Sequence, residues 1–343
     1  MSNLEKIKTN AAGIDLGSKE FFVSVDGTTV RAFETYTTEL KALVLYLKEN
    51  SITTVAMEST GVLWLPLYDM LEEAGIEVFL VNAAHSRNIP AQKSDPADCR
   101  WLQRLHSYGL LRASYVPSDD IRKLRTYLRL REDHQDMAAS HIQHMQKAMD
   151  LMNLKLKNVI SQLHGVSGLR IIKAILEGER DANNLALLCD TKILSKKKDS
   201  IIESLKGNYK EEYLFMLKQA YVAYMFYQGQ IHDCDLEIEK ILNRMNKGKK
   251  VIKSGVAKPS RHNQPDIKGL HEKIVTLHEG KNPTVLPGIS DMTILKLSGE
   301  LGCDYTKWPS EKHFTSWMGL SPIKHQSGKT NKNKRRKVNS KAG

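Results

Sequence analysis

At 343 residues the chain is too long for one small domain, and a prior of about 100–200 residues per domain predicts two or three. Hydrophobic residues at 41% and charged residues at 26% exclude wholesale disorder, and no apolar run approaches the ~18 residues of a membrane span. The four cysteines, Cys99, Cys189, Cys234 and Cys303, lie far apart without a CxxC pair, and residues 1–12 hold no secretory apolar stretch. These features argue against a disulfide framework or a cysteine-ligated zinc and point to a reducing cytoplasm.

The net charge of +12 is concentrated in two places. Residues 246–268 carry +6 and residues 321–343 carry +8, leaving −2 for the rest. Both segments are rich in Asn, Ser, Gly or Pro, the composition of basic arms that neutralise phosphates. Lys249 and Lys250 in the first, and Lys329, Lys332, Lys334, Arg335, Arg336 and Lys337 in the second, are the expected nucleic-acid contacts. The plainer alternative is a pair of solvated loops.

Residues 10–82 read as α/β. The run Ala12 to Asp15 is a short strand ending in an acid; Phe21, Val23 and Val25 alternate up to an Asp26-Gly27 turn, and Val30 to Phe33 is a third strand. Leu40, Leu43, Val44 and Leu47 share a helical face, Thr54 to Met57 is a strand ending at Glu58, Val62 to Ala74 is a helix and Ile76 to Val81 a buried strand. With a further helix near 95–107, this is the element order of an RNase H-like fold.

From Ile121 to Leu163, positions spaced three and four apart are apolar except Arg131 and Gln135, which predicts one long helix with a coiled-coil seam. A second seam runs through Tyr213, Leu217, Ala220, Tyr224, Tyr227, Ile231, Cys234, Ile238 and Ile241. Spacing leaves open whether the two pair within a chain or between subunits. Shorter helices are expected over 165–208. The segment 270–322 reads as compact, with an aromatic group of Trp308, Phe314 and Trp317, and a polar basic tail is expected after Pro322.

Asp15 and Glu58 end strands that are neighbours in an RNase H-like sheet, and Asp95 and Asp98 share one face if a helix begins there. Singly, each acid has a structural explanation: a helix cap at Asp95, a turn at Asp15, a loop acid at Glu58. Together, four clustered carboxylates repel one another, a strain that divalent cations relieve, and oxygen-only ligands suit Mg²⁺ or Mn²⁺. The turn Gly13-Ile14-Asp15-Leu16-Gly17 also occurs in sugar kinases and related ATPases, but the second phosphate loop and the adenosine loop of those enzymes are missing here.

The stretches Gly13-Ile14-Asp15, Met57-Glu58-Ser59-Thr60-Gly61 and Lys93-Ser94-Asp95-Pro96-Ala97-Asp98-Cys99-Arg100-Trp101-Leu102 together resemble the DEDD transposases of insertion-sequence family one-ten, most of all its eleven-eleven branch. Leu286-Pro287-Gly288-Ile289, Trp317-Met318-Gly319-Leu320-Ser321-Pro322 and Gln326-Ser327-Gly328 extend the resemblance towards the C-terminus. It implies an α/β RNase H-like, RuvC-like catalytic domain over 1–117, a helical coiled-coil region over 118–245, a basic loop over 246–269 and a mostly α C-terminal transposase domain over 270–343. It also implies Mg²⁺-dependent DNA recombination guided by a structured RNA from the element, in a homo-oligomer of a bacterial or archaeal cell. The family's four acids fall on Asp15, Glu58, Asp95 and Asp98, and its nucleophilic serine on Ser327. The family usually continues into a further helical region beyond the segment that ends this sequence at Gly343. Two other readings stay open: a RuvC-type metal-dependent junction nuclease in which Ser327 has no chemical part, and a non-catalytic nucleic-acid-binding remnant.

Overall fold

Alternating apolar strands and amphipathic helices assemble the first part of the chain. The structure, a computed structural model, describes residues 5–59, 61–82, 95–252, 264–321, 323–327 and 330–334, with the backbone alone for Asp95, Pro96, 323–327 and 330–334. Two units result, Met1–Val116 and Pro117–Gly343.

The first unit contains, in order, β1 (Ala11–Leu16), β2 (Glu20–Ser24), β3 (Arg31–Glu34), α1 (Thr37–Glu49), β4 (Thr54–Glu58), α2 (Trp64–Glu73), β5 (Glu77–Val81) and α3 (Asp95–Ser107). The sheet order is β3-β2-β1-β4-β5; β1 to β3 are antiparallel, and β1, β4 and β5 run parallel. This is the mixed sheet expected of an RNase H-like domain. One face of the sheet carries Ile14, Leu16, Val55, Met57 and Leu80, packed with Leu43 and Leu47 of α1 and Leu67 and Leu71 of α2. Because successive strand residues point to opposite faces, Gly13, Asp15, Thr54, Ala56 and Glu58 belong to the other face. That face receives α3.

The second unit contains α4 (Asp119–Leu151), a 3₁₀ turn (Leu156–Asn158), α5 (Val166–Leu176), α6 (Ala182–Ala186), α7 (Thr191–Ser204) and α8 (Glu211–Met245). After these come α9 (Leu270–Leu277), a 3₁₀ turn (Pro283–Val285), α10 (Asp291–Leu301), α11 (Glu311–Trp317) and the strands β6 (Ile323–Ser327) and β7 (Thr330–Lys334). The mixed-sheet domain is thus followed by a mostly helical region. Among the described residues no helix is long and apolar enough to cross a membrane.

The α4 and α8 seams face each other within one chain and run antiparallel. Asp120 pairs with Arg244, Arg131 with Asp235, and the His134 ring lies 5.9 Å from Tyr227. Near one end Met145, Met149 and Met152 pack with Leu217, Ala220 and Tyr224; near the other Leu124 and Leu128 pack with Ile238, Ile241 and Leu242 and with α9 and α10.

The helix expected to run to Leu163 stops at Leu151. Asn153 adopts a positive φ of 59°, and the chain leaves the helical path to hydrogen-bond with the end of α7, Lys155 N to Ser204 O at 2.8 Å. Met152, Leu154, Leu156, Ile160 and Leu163 are nonetheless all buried in the same core. Their apolar rhythm records burial after the turn, not continued helix. The polar tail expected after Pro322 is also corrected in part: β6 and β7 form an antiparallel hairpin in which Ser327 pairs with Thr330.

Arg131, an exception in the apolar seam, is explained by Asp235. Their side chains are almost fully buried, with Nε donating to Oδ1 at 2.5 Å, while Asp235 Oδ2 accepts the Asp266 backbone N–H at 3.0 Å. Arg131→Met leaves a buried carboxylate without its cation, and a loss of about 3–5 kcal/mol is expected. Adding Asp235→Leu should recover much of it. Chemical denaturation of the single and double variants checks this; equal instability of both would show that the stranded carboxylate is not the source of the loss.

Candidate active site

The site is built where α3 lies on the sheet. Helix α3 is anchored at its C-terminal end: the His106 Nε2 and Thr54 Oγ1 atoms are 2.9 Å apart, and Gln103 Nε2 donates to Ala11 O and Ser107 Oγ, both at 3.0 Å. Burial, reinforced by the Lys8 ammonium, pushes the His106 imidazole down to about 4, so it stays neutral at physiological pH. In its middle, α3 crosses β1 at Gly13. A β-carbon at that position would lie 2.3 Å from both Cys99 O and Gln103 N, so only glycine admits the helix at this depth.

These contacts set the direction of α3. Its last turns lie over the start of β1 and β4, and its first turn lies towards their C-terminal ends. Asp15 and Glu58 sit at those ends, one residue beyond the Ile14–Met57 pair of the parallel ladder, on the face that α3 covers. Asp15 is close enough to α3 to act on Cys99: burial first, then the Asp15 carboxylate, pushes that thiol up to about 11. Cys99 is fully buried and protonated, which removes it as a nucleophile. Asp98 precedes it in the same turn, and α3 begins at Asp95.

The structure therefore brings Asp15, Glu58 and the acid-bearing turn of α3 to one end of one sheet face. The side chain of Asp95 lies outside the described residues. Among the described residues no three His, Cys, Asp or Glu side chains are gathered as a ready metal-ligand set. The donor chemistry fits a hard divalent cation: carboxylate oxygens presented from two strand ends and one helical turn.

Ser327 is placed on β6, in the second unit. Lys332 and Lys334 are on β7. Lys249 and Lys250 follow α8 on exposed backbone, and Lys249 Nζ donates to Leu277 O at 3.3 Å. Lys329, Arg335, Arg336 and Lys337 lie outside the described residues. Gly13 went unrecognised as a site determinant at the level of sequence. A glycine inside an otherwise apolar strand is the signal for such a close approach.

The sheet order and the acids at its α3-covered end define an RNase H-like enzyme domain joined to a helical region. Two family models match the chain: a transposase model, that of the DEDD transposase domain of the IS110 family, over residues 12–154, and one described as transposase IS116/IS110/IS902 family over residues 284–342. Between them they span more than half of the sequence, and the chain belongs to the IS110-family transposases, DNA-processing enzymes whose DEDD members generally depend on divalent metal. No curated protein matches it at a significant level.

Proposed function

We propose that this transposase cuts and rejoins DNA by metal-dependent chemistry at Asp15, Glu58, Asp95 and Asp98 together with a covalent link to Ser327. The observation that carries the reading is the position of Asp15 and Glu58 at adjacent ends of parallel strands, under the first turn of α3. The four carboxylates would hold Mg²⁺ or Mn²⁺, which when bound lowers the pKa of an attacking oxygen and offsets charge on a departing one.

The Ser327 hydroxyl oxygen forms a bond to phosphorus as a phosphodiester P–O bond of the strand breaks. The serine proton passes to solvent, and the departing sugar oxygen takes a proton in turn. Rejoining reverses the step with a second strand end as the nucleophile. Basic residues before and after the 270–322 segment supply phosphate contacts for the DNA and for a structured guide RNA encoded by the element.

The enzyme acts as a homo-oligomer, in which the acids of one subunit serve the serine of another. The α4 and α8 seams are occupied by each other within the chain, so association falls to other surfaces. On α8, Phe215, Val222 and Phe226 lie at helical spacing on one face and are 64%, 56% and 60% exposed, an apolar stripe suited to a second copy.

The test mixes a Ser327→Ala chain with an Asp15→Asn chain, each inactive alone, in the presence of Mg²⁺, guide RNA and donor DNA. Strand cleavage and a covalent protein–DNA species should return in the mixture. Metal-dependent nicking by Ser327→Ala alone would replace the serine mechanism with that of a junction nuclease. If neither variant nor the unmodified chain cuts DNA, the catalytic reading fails.

A further inference from the structure

The segment from α9 to α11 builds an aromatic group at the surface of the second unit. Its floor is His278, buried at 7% exposure, with Nε2 2.9 Å from Ser298 Oγ. Tyr305 lies over the imidazole, with ring planes 23° apart and centroids 6.3 Å apart. Trp308 and Phe314 flank Tyr305 at 6.3 and 6.2 Å, and Trp317 backs Trp308 at 5.0 Å. A ring held on this many sides is normally covered, yet Tyr305 is 43% exposed.

Two lysines lie beside the floor of the group: Lys249 Nζ donates to Leu277 O at 3.3 Å, next to His278 in the chain, and the Lys281 backbone N–H donates to His278 O at 3.1 Å. Both lysines are exposed. The nearby Asp304 carboxylate is turned back onto its own loop, accepting from Thr306 N at 2.9 Å and Thr306 Oγ1 at 2.6 Å. An apolar protein partner gains nothing from a rim of ammonium groups. A part-exposed aromatic ring with two lysines beside it fits a flat, π-faced group attached to phosphates. In a duplex the faces of the bases are covered by their neighbours, so an unpaired base is the group that can use it.

We propose that Tyr305, seated on His278 and flanked by Trp308, is a stacking platform for an unpaired base of single-stranded nucleic acid, with Lys249 and Lys281 contacting the adjacent phosphates. The inference rests on the nucleic-acid reading above and narrows it to strand state and position. In a transposition reaction such strands arise wherever a duplex is opened or a guide RNA presents a loop.

Binding of the full-length chain to a labelled 12-nucleotide single strand, to the same sequence as RNA and to the corresponding duplex tests it. Tyr305→Ala should weaken single-strand binding by about 5- to 150-fold, the range of one lost base–aromatic stack, and leave duplex binding unchanged. Tyr305→Phe should keep the affinity, because the ring and not the hydroxyl carries the contact. Lys281→Gln removes an exposed charge without touching the packing; it should reduce the salt dependence of single-strand binding by about 0.7 log units. Equal losses for single strand and duplex in Tyr305→Ala, or wild-type single-strand affinity and salt slope in both Tyr305→Ala and Lys281→Gln, would overturn the platform alone. Absence of binding to all three probes by the unmodified chain would overturn the nucleic-acid reading with it.

Discussion

Asp15→Asn is expected to lower metal-dependent strand cleavage by about 100-fold or more. Even residues that only orient a metal ligand cost about 10–100-fold when replaced, and Asp15 is proposed as a ligand itself. Asparagine keeps the shape and removes the charge, so β1 and its ladder to β4 should be retained. A second reading separates chemistry from folding: Mn²⁺ binding followed by calorimetry, and thermal stabilisation by Mn²⁺, should both fall in the variant. Glu58→Gln and Asp98→Asn should follow in the same direction. Unaltered Mn²⁺ affinity together with unaltered cleavage in Asp15→Asn would remove Asp15 from the site.

Gly13→Ala is expected to do comparable damage without touching an acid. The added methyl group would meet two backbone atoms of α3 at 2.3 Å, and backbone cannot turn aside as a flexible side chain can. Helix α3 must lift from the sheet or the strand must shift, at a stability cost of roughly 1–3 kcal/mol for overpacking. Because α3 carries Asp95 and Asp98, the shift separates them from Asp15 and Glu58. Metal affinity should therefore fall together with stability, while the hairpin of α4 and α8 in the other unit keeps its helical signal. Wild-type stability and Mn²⁺ affinity in Gly13→Ala would contradict this account of how the helix is seated.

The first unit was legible in the sequence because its strands alternate or run apolar between clear turns, and because its acids fall at strand ends. Parallel pairing of β1 with β4 follows from that order, and the pairing places Asp15 next to Glu58. The depth of α3 was not legible, since it depends on a single missing side chain at Gly13. Nor was the end of α4: Met152, Leu154 and Leu156 stay buried after the turn at Asn153, so hydrophobic rhythm alone continues past the point where helix stops. The β6–β7 hairpin is built of Lys, Asn, Gln and Thr without an apolar alternation, which is why its strands read as tail. The pairing of the two long helices within the chain was not legible either; it rests on contacts such as Asp120–Arg244 and Arg131–Asp235, whose opposite order along the two helices makes them antiparallel.

The same pair ties down the lysine-rich segment that follows α8. At its start, Asn246 Nδ2 donates to Lys273 O at 2.9 Å and Lys249 reaches Leu277 O; at its end, the N–H of Asp266 is fixed to Asp235. Both ends are thus moored to one rigid scaffold, independently of the chain that joins them. Loss of Asp235 would therefore release the Asp266 backbone as well as Arg131, and the stretch that leads into α9 would lose the fixed point from which it starts.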